Sequence, residues 1–309
     1  MRILLTGARG FIGSHVARLL VREGHDVYGV IRNGTRRPPT TEPLPGLLEV
    51  EVDLNDGAAV HEAVEAIRPE CAIHLAWYAV SGKYWTAPEN LNCVAMSLLL
   101  ARALAECGCR RLVAAGSCAE YDWTHEILSE EATPTRPRTL YGVCKNALRS
   151  TLEAYCADAA MEFAWARFFY LYGPGEPKQR LVPATILALL GGKTAECSPG
   201  EQMRDFLHVE DAAAAVRAVA LSRVSGPINI GSGEPVRVRT LVETIAEILK
   251  CPAKVAFGAV PTVCGEPRKL VAEVRKLKTQ TAWSPRFTLR EGLENTVGWW
   301  QRMKALESQ

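Results

Sequence analysis

Short apolar segments alternate along the first half of the chain with longer segments in which apolar residues recur every three or four positions. Short apolar runs are typical of buried strands, and the longer period is typical of helices with one buried face. This alternation predicts parallel β-α-β units and therefore an α/β fold with a doubly wound parallel sheet. The predicted strands are residues 3–5, 26–31, 47–52, 71–75, 111–115 and 162–167, and the predicted helices are residues 14–23, 58–67, 91–106 and 140–159.

The second half of the chain is less regular. Helices are predicted at residues 211–221 and 238–249, between stretches rich in glycine and proline. We expect these segments to form a smaller C-terminal lobe that closes over the sheet. In this division residues 1–166 form the first domain, a segment of about 205–233 returns to it, and residues 167–204 and 234–309 form the smaller lobe.

Three glycines separate the first predicted strand from the first predicted helix. Glycine permits a tight turn and a close approach of the backbone to a pyrophosphate, whose charge the free N–H groups at the helix start stabilise. A tight turn that binds nothing is the alternative. The strand before it and the helix after it favour a dinucleotide-binding Rossmann domain. The expected contacts in this turn are Gly7, Arg9, Gly10, Phe11, Ile12 and Gly13.

The composition excludes several kinds of partner. Hydrophobic residues make up 48% of the 309 positions, enough for a large core, while the formal net charge is only +2. A charge this small gives no general field for nucleic acid, so no nucleic-acid partner is expected. The first apolar stretch is too short for a signal peptide or a membrane span. The ten cysteines lack Cys-x-x-Cys spacing, so we expect reduced thiols, no metal site and a cytoplasmic location.

Tyr141 and Lys145 are four residues apart in a predicted helix, so their side chains share one face. The spacing alone is weak evidence, because composition predicts about one such pair by chance and Tyr28 with Arg32 is a second example. Ser117 strengthens the interpretation, since it follows the predicted strand 111–115 and lies at the carboxyl edge of the sheet. A surface tyrosine with a solvated lysine is the alternative.

Together these features resemble the extended short-chain dehydrogenase/reductase family, whose members use NAD(P) to modify nucleotide sugars. The resemblance spans essentially the whole chain. It implies a nucleotide-sugar substrate and a homodimer whose four-helix seam would be formed by the predicted helices 91–106 and 140–159. Helices buried within one subunit are the alternative for that pair. The segments that carry the resemblance are residues 6–13, 53–54, 74–76, 117, 141–145, 172–175 and 204–211.

The family's chemistry implies catalytic roles for three residues. Tyr141 would give or take the proton, because a neighbouring ammonium and a nicotinamide cation would draw its pKa down from about 10. Lys145 would supply that ammonium and also bind the nicotinamide ribose. Ser117 would donate a hydrogen bond to the substrate oxygen on which charge develops during hydride transfer.

The resemblance also implies a cofactor preference. Relatives that use NAD carry an acidic residue at the end of the second strand, whereas this chain has Arg32 there. We expect NADP(H), with Arg32 paired to the 2′-phosphate and Arg36 or Arg37 in support. NAD(H) with a solvated Arg32 is the alternative. The other expected cofactor contacts are Asp53, Leu54, Leu75, Ala76, Tyr141 and Lys145.

The residues after Ser117 separate the reactions that the family performs. Sugar dehydratases of the family carry Asp-Glu there to remove water, whereas this chain has Cys118-Ala119, with Glu120 one position further on. That leaves two enzymatic hypotheses, an NADPH-dependent 4-ketoreductase of a nucleotide-linked deoxy sugar and a 4-epimerase that retains NAD. A non-catalytic dinucleotide sensor is a third hypothesis. Arg32 favours the reductase, and residues 200–206 and 257–259 resemble CDP-abequose synthase and similar 4-keto-6-deoxy-sugar reductases.

Substrate contacts are expected from both lobes. Arg204 would bring a guanidinium to the nucleotide diphosphate, the alternative being a salt bridge with Asp205 or Glu210. Tyr170 stands where relatives usually have asparagine, so diphosphate binding is open to a different arrangement. The expected substrate-binding residues are Trp77, Ser117, Tyr170, Arg180, Arg204 and Arg268.

Overall fold

The computed structural model of the protein describes residues 1–32, 43–262 and 265–307. In chain order the strands are β1 (Arg2–Thr6), β2 (Asp26–Ile31), β3 (Leu47–Glu51), β4 (Cys71–His74), β5 (Arg111–Ser117), β6 (Ile127–Leu128), β7 (Glu162–Phe168), β8 (Tyr170–Tyr172), β9 (Ala195–Cys197), β10 (Met203–His208), β11 (Gly226–Ile230), β12 (Pro235–Arg237), β13 (Val255–Phe257) and β14 (Lys269–Ala272). The helices are α1 (Phe11–Arg22), α2 (Gly57–Ile67), α3 (Glu89–Glu106), α4 (Leu140–Asp158), α5 (Leu181–Leu190), α6 (Val209–Ala220), α7 (Val238–Ile248), α8 (Arg275–Gln280) and α9 (Leu289–Glu307). Short 3₁₀ helices cover Cys118–Glu120 and Pro252–Lys254.

A parallel sheet with the strand order β11-β7-β5-β4-β1-β2-β3 forms the centre of the larger lobe. This arrangement confirms the predicted doubly wound α/β fold. The chain moves from β1 outward through β2 and β3 and then returns to the other side of β1 at β4. The point between β1 and β4 is therefore the place where the loops diverge and a ligand can enter.

Alternate residues of the central strands face two separate cores, because side chains of a strand point to opposite faces in turn. Ile3 and Leu5 pack in the core beneath α1 and α6, whereas Leu4 packs in the core beneath α2, α3 and α4. Burial on both faces explains why these strands appear in the sequence as continuous apolar runs.

The smaller lobe contains a second sheet and three helices that share a core. In that sheet β12, β10, β14 and β6 are neighbours in this order, and β8 also pairs with β10. Helices α5, α7 and α9 pack around Trp300, which is 1% exposed. Strands β9 and β13 form a separate pair.

The returning segment expected at about 205–233 divides between the two sheets. Helix α6 packs against α1, and β11 completes one edge of the large sheet. Residues 205–208, by contrast, belong to β10 and lie in the smaller sheet, because β10 pairs with β8, β12 and β14. Across the described residues, none of the helices is both long and apolar enough to cross a membrane.

Several element boundaries differ from the predicted ones. Helix α1 begins at Phe11 rather than at residue 14, because the chain enters the helix directly after the N-cap residue Gly10. Strand β5 continues to Ser117 instead of residue 115, paired residue by residue with β7. Strand β11, helices α5, α8 and α9 and the short strands of the smaller lobe were not predicted.

Candidate active site

The glycine turn between β1 and α1 is closely packed against its surroundings. Gly7 has a φ of +73°, and a Cβ atom there would lie 3.0 Å from the amide nitrogen of Ala76. A Cβ atom on Gly13 would lie 2.0 Å from the carbonyl oxygen of Gly7. No side chain caps the first turn of α1 at Gly10, so its N–H groups remain available to an anion. The turn therefore fits a pyrophosphate.

A buried hydrogen-bond network fixes the ends of β1 and β4 beside this turn. Thr6 Oγ1 lies 2.7 Å from His74 Nδ1, and His74 Nε2 lies 2.8 Å from Ser97 Oγ. Ser97 donates to the Cys93 carbonyl, so it accepts from His74, which is thereby a neutral Nε2–H imidazole. Burial lowers the pKa of His74 to about 3, which keeps it in this state.

Thr6 completes the network toward the dinucleotide turn. With its hydroxyl hydrogen directed at His74, Thr6 Oγ1 accepts from the amide groups of Leu75 and Ala76 at 3.2 and 3.1 Å. The two loops that border the turn are therefore held together by a side chain from the strand between them. Leu75, like Phe11 and Ile12, is partly buried and packs its side chain against the hydrophobic core.

A cleft of about 980 Å³ extends from the glycine turn along the carboxyl ends of the strands. Arg32 lies at its rim with an exposed side chain. Asp53 accepts from the backbone and side-chain nitrogens of Asn55, and these bonds lower the pKa of its carboxyl group. Arg9 forms a two-point ion pair with Glu49 at 3.0 and 2.8 Å. The cleft wall includes Gly7, Gly10, Leu54, Ala76 and Trp77.

Arg36 and Arg37, expected to support Arg32, lie outside the described residues.

Helix α4 and strand β5 bring Ser117, Tyr141 and Lys145 to one place. Thr139 accepts from the Gly142 amide and so fixes the start of α4. One turn later, Lys145 Nζ donates to the Ala115 carbonyl at 2.6 Å, which connects the helix to the strand that ends at Ser117. The Ser117 side chain lies close enough to Tyr141 to lower the pKa of its phenol.

Aromatic rings surround the Tyr141 side chain. The ring centroids of Tyr84, Trp85 and Trp77 lie 4.9, 5.8 and 6.3 Å from that of Tyr141, each with its ring nearly perpendicular. Trp77 also covers Lys145, whose Nζ is 3.5 Å from the centre of the indole ring. Such a cation–π contact partly compensates the ammonium for lost water.

Burial shifts the pKa values of both Tyr141 and Lys145. Burial raises the pKa of Tyr141 above its usual value of about 10, against the opposing effect of the Ser117 side chain. The lowering expected from a neighbouring ammonium and a nicotinamide cation together stays a prediction; in this structure Lys145 Nζ donates to the Ala115 carbonyl and lies over the Trp77 ring. Burial lowers the pKa of Lys145 to about 7, and the negative charge of Glu120 is the largest effect in the other direction.

The residues expected to bind substrate lie in different surroundings. The guanidinium carbon of Arg204 lies 5.5 Å from the centre of the Tyr170 ring. Its guanidinium forms a 2.6 Å ion pair with Glu266 and donates to two backbone carbonyls. Arg180 precedes α5 near enough to Tyr84 to influence its pKa. The Arg268 side chain is exposed.

The observed partner of Arg204 corrects the expected alternative. Asp205 instead accepts from the backbone of Ser232, Gly233 and Ala272, and Glu210 pairs with Arg286 at 2.6 Å. Asp205 does not reach Arg204 because adjacent residues of β10 point to opposite sides of the sheet, and Glu210 lies on α6, where it pairs with Arg286.

Sequence reasoning missed two groups around the site. Glu49 was not identified as the partner of Arg9, and no sequence signal connects residues 40 positions apart. Glu120 was noted only as lying one position from the dehydratase pattern. In the structure its buried carboxylate accepts from the Ser117 amide at 2.7 Å and pairs with Arg167 at 2.9 Å.

A phenol, an ammonium and a hydroxyl beside a cleft that fits a dinucleotide define an enzyme of the dinucleotide-dependent oxidoreductase and epimerase class. The model of the NAD dependent epimerase/dehydratase family matches residues 3–231, and the chain belongs to this family. The predicted family resemblance is therefore confirmed.

Individual relatives have several activities. The probable UDP-glucuronate 4-epimerase of Rhizobium meliloti is 28% identical over 340 residues, covering 98% of this chain and 97% of its own length. The dTDP-6-deoxy-L-talose 4-dehydrogenase (NAD(+)) of Aggregatibacter actinomycetemcomitans is 29% identical over 250 residues, covering 79% and 88%. Among solved structures, MoeE5 in complex with UDP-glucuronic acid and NAD is 34% identical, with a TM-score of 0.85, over 98% of this chain and all of the other.

Proposed function

We propose that the protein reduces the 4-keto group of a nucleotide-linked deoxy sugar with NADPH. The observation that carries the proposal is the proximity of Ser117 to Tyr141, one helical turn from Lys145, beside Trp77 of the cleft wall. A bound nicotinamide supplies the hydride to the carbonyl carbon of the sugar. The dTDP-6-deoxy-L-talose 4-dehydrogenase among the relatives acts, by its name, at the same sugar carbon.

The chain's own residues supply the proton and the charge stabilisation. Tyr141, whose raised pKa keeps the phenol protonated, gives its proton to the sugar oxygen, so that the carbonyl becomes an alcohol. Ser117 donates a hydrogen bond to the same oxygen, on which negative charge develops. Lys145 would hold the nicotinamide ribose. The aromatic rings of Trp77, Tyr84 and Trp85 exclude water from the reacting groups.

The NADP(H) preference is part of this proposal. Arg32 lies at the cleft rim, at the end of β2. A guanidinium there pairs with a 2′-phosphate, which NADH lacks. We expect Arg32→Ala to weaken NADPH binding at least tenfold and to leave NADH binding within twofold, measured by fluorescence titration. Equal affinities of the unaltered protein for the two dinucleotides would contradict the preference.

A 4-epimerase with retained NAD is the second candidate. It is favoured by the relatives, since MoeE5 was solved with UDP-glucuronic acid and NAD. An epimerase uses the same three residues twice, once to oxidise the sugar at carbon 4 and once to reduce it from the other face. Such an enzyme holds its dinucleotide throughout and consumes none.

One experiment separates these functions. The purified protein is mixed with NADPH and, in turn, with CDP-, dTDP-, GDP- and UDP-linked 4-keto-6-deoxy sugars, while the absorbance of reduced nicotinamide is followed. The reductase oxidises NADPH in a one-to-one ratio with one of these sugars. The epimerase instead interconverts a nucleotide sugar without net change in nicotinamide and releases NAD when denatured. Absence of both reactions would leave the non-catalytic sensor.

We also propose that the protein is a homodimer and that it is located in the cytoplasm. A homodimer through α3 and α4 is supported by two apolar side chains exposed on these helices, Leu91 at 58% and Val143 at 48%. A cytoplasmic location is supported by the nine cysteines in the described ranges, all of them free thiols.

A further inference from the structure

Glu120 ends the 3₁₀ helix that directly follows Ser117, and its side chain is completely buried. Its Oε1 atom accepts from the Ser117 amide at 2.7 Å. Its Oε2 atom accepts from Arg167 Nε at 2.9 Å and from Trp165 Nε1 at 2.9 Å. Arg167 and Trp165 both lie on β7, so this one carboxylate connects the turn after β5 to the neighbouring strand.

These bonds determine what the Ser117 hydroxyl can do. The Ser117 Oγ atom accepts from the Ala119 amide at 3.2 Å while Glu120 accepts from the Ser117 amide, a reciprocal capping arrangement. One acceptor site of the hydroxyl oxygen is thereby occupied, and its O–H remains available to donate. Without the carboxylate the Ser117 amide would lose its partner, and the rotamer of the catalytic hydroxyl would no longer be fixed.

The turn also separates Ser117 from the helix that carries Tyr141. A Cβ atom on Gly142, the residue after Tyr141, would lie only 2.5 Å from the Ala119 carbonyl oxygen. On the other side, a Cβ atom on Gly116 would lie 2.8 Å from Glu120 Oε1. Both positions therefore require glycine, because neighbouring atoms lie too close for a Cβ atom. A displacement of the turn would therefore change the distance between Ser117 and Tyr141.

The charge of Glu120 also acts on Lys145. The groups that face the ammonium are Glu120, the thiol of Cys93, the neutral His74, and the rings of Trp77 and Trp165. Of these, Glu120 is the strongest influence that raises the pKa of Lys145, which burial lowers to about 7. On its other side Glu120 faces Arg167, whose positive charge would be unpaired without it.

We propose that Glu120 is a positioning residue of the active site, which fixes the Ser117 hydroxyl relative to Tyr141 and provides the negative charge that faces Lys145. The inference rests on the roles proposed above for these three residues. It assigns a function to a carboxylate that contacts neither cofactor nor sugar.

Two substitutions separate the two effects of Glu120. Glu120→Gln removes the charge and keeps the size of the side chain, whereas Glu120→Asp keeps the charge and withdraws it by one methylene group. Glu162→Gln is the matched control, because Glu162 pairs with Arg111 at 2.7 Å across the same two strands, at their opposite ends. All three variants are compared with the unaltered protein.

The first measurement needs no substrate and therefore remains decisive if the proposed function fails. Crystal structures of the variants give the separation of Ser117 Oγ and Tyr141 Oη. We expect this separation to change by more than about 0.5 Å in Glu120→Gln and Glu120→Asp, a displacement at which catalytic geometry is lost. The control should keep the original separation. An unchanged separation in both Glu120 variants would overturn the inference.

The second measurement uses the nucleotide sugar that the unaltered protein turns over. We expect kcat of both Glu120 variants to fall about 10-fold to 100-fold, because displacements near 1 Å have such effects, with KM within about threefold. In Glu120→Gln the alkaline limb of the pH profile moves to lower pH, since Lys145 loses its proton earlier. Glu120→Asp and the control keep that limb. If Glu120→Gln does not fold, Glu120→Asp decides alone, and an unchanged kcat contradicts the inference.

Discussion

At the scale of single residues, the protonation state of Tyr141 determines whether its phenol can act as a proton donor. Three perpendicular aromatic rings surround the phenol and take it out of water. Burial disfavours the phenolate, so the pKa of Tyr141 is raised. The proposed reduction of a carbonyl requires a protonated phenol, because the product alcohol would gain its hydroxyl hydrogen from Tyr141.

The role of Tyr141 is tested by Tyr141→Phe. Loss of the hydroxyl removes the proton donor, so we expect kcat to fall about 10²-fold to 10⁴-fold. NADPH binding should remain within twofold, because the ring and its aromatic contacts are kept. Steady-state kinetics and fluorescence titration measure the two quantities. A variant that retains more than a few per cent of the original turnover would refute the assigned role.

The buried ammonium of Lys145 makes a prediction about stability and pH. Its pKa is about 7 in the folded protein and 10.5 in the unfolded chain, so between these values the unfolded state binds more protons. The destabilising effect of Lys145 is therefore complete below pH 7 and disappears as the pH rises to 10.5. As the pH rises from 7 to 10.5, the free energy of unfolding of the unaltered protein should increase by a few kcal/mol relative to that of Lys145→Met. One pKa unit corresponds to about 1.4 kcal/mol.

Urea unfolding at several pH values measures this difference. A free energy of unfolding that differs between the two proteins by the same amount at pH 6.5 and pH 10 would contradict the depressed pKa of Lys145.

Some of this residue-scale arrangement could be predicted from the sequence. Tyr141 and Lys145 were identified because helical spacing places them on one face, and Ser117 because it follows a strand. The bond from Lys145 to the Ala115 carbonyl could not be predicted, since it depends on how α4 packs on β5. The same holds for the pKa of Tyr141, which depends on rings from a loop more than fifty residues earlier.

At the scale of elements, the dinucleotide turn depends on contacts between the ends of β1 and β4. Thr6 and His74 connect these strands by a hydrogen bond between their side chains, and the Thr6 hydroxyl also accepts from the amides of Leu75 and Ala76. Gly7 and Gly13 permit the backbones to approach closer than any side chain would allow. The turn is therefore formed before a ligand arrives, which reduces the entropy cost of binding.

Gly13→Ala tests the geometry of this turn. The added methyl group would lie 2.0 Å from the Gly7 carbonyl oxygen, so α1 must move away from the turn. We expect the dissociation constant of NADPH to rise at least tenfold. Gly298→Ala is the control, because Gly298 is also helical but its Cβ would have ordinary contacts. It should leave binding unchanged and stabilise the helix by roughly 0.5–1 kcal/mol. Equal affinities for both variants would contradict the proposed pyrophosphate site.

Six of the seven strands of the large sheet were predicted from the sequence, whereas in the smaller lobe helix α7 was predicted and the strands were not. Strand β2 was predicted with its observed bounds, because a strand buried on both faces forms a continuous apolar run. Strands β8, β9, β12 and β13 have three residues each, too few for a period to appear. Their pairing depends on long-range contacts, such as that of β8 with β10.

At the scale of the whole molecule, the outward faces of α3 and α4 each expose a large apolar side chain. Leu91 and Val143 are 58% and 48% exposed although the helices they belong to are otherwise packed on the sheet. A contiguous exposed apolar patch is typical of an interface between protein chains, and we propose that Leu91 and Val143 belong to one. A second copy of the same chain would complete a four-helix arrangement.

The proposed homodimer is tested by sedimentation. We expect the unaltered protein to sediment as a dimer and the double variant Leu91→Glu, Val143→Glu as a monomer, because charges in the seam would be desolvated. Leu306→Glu is the control, since Leu306 is 63% exposed on α9, away from these helices. It should remain dimeric. A dimer that survives the double substitution would place the interface elsewhere.

The most direct test of the account follows the hydride itself. NADPH deuterated at the transferable position is supplied with the 4-keto sugar that the protein turns over, and the product is examined by NMR. We predict deuterium at carbon 4 of the sugar with the unaltered protein, and incorporation at least about 100-fold slower with Tyr141→Phe. Deuterium at another carbon, or retained entirely on the nicotinamide while the sugar is converted, would contradict reduction at carbon 4 by Ser117, Tyr141 and Lys145.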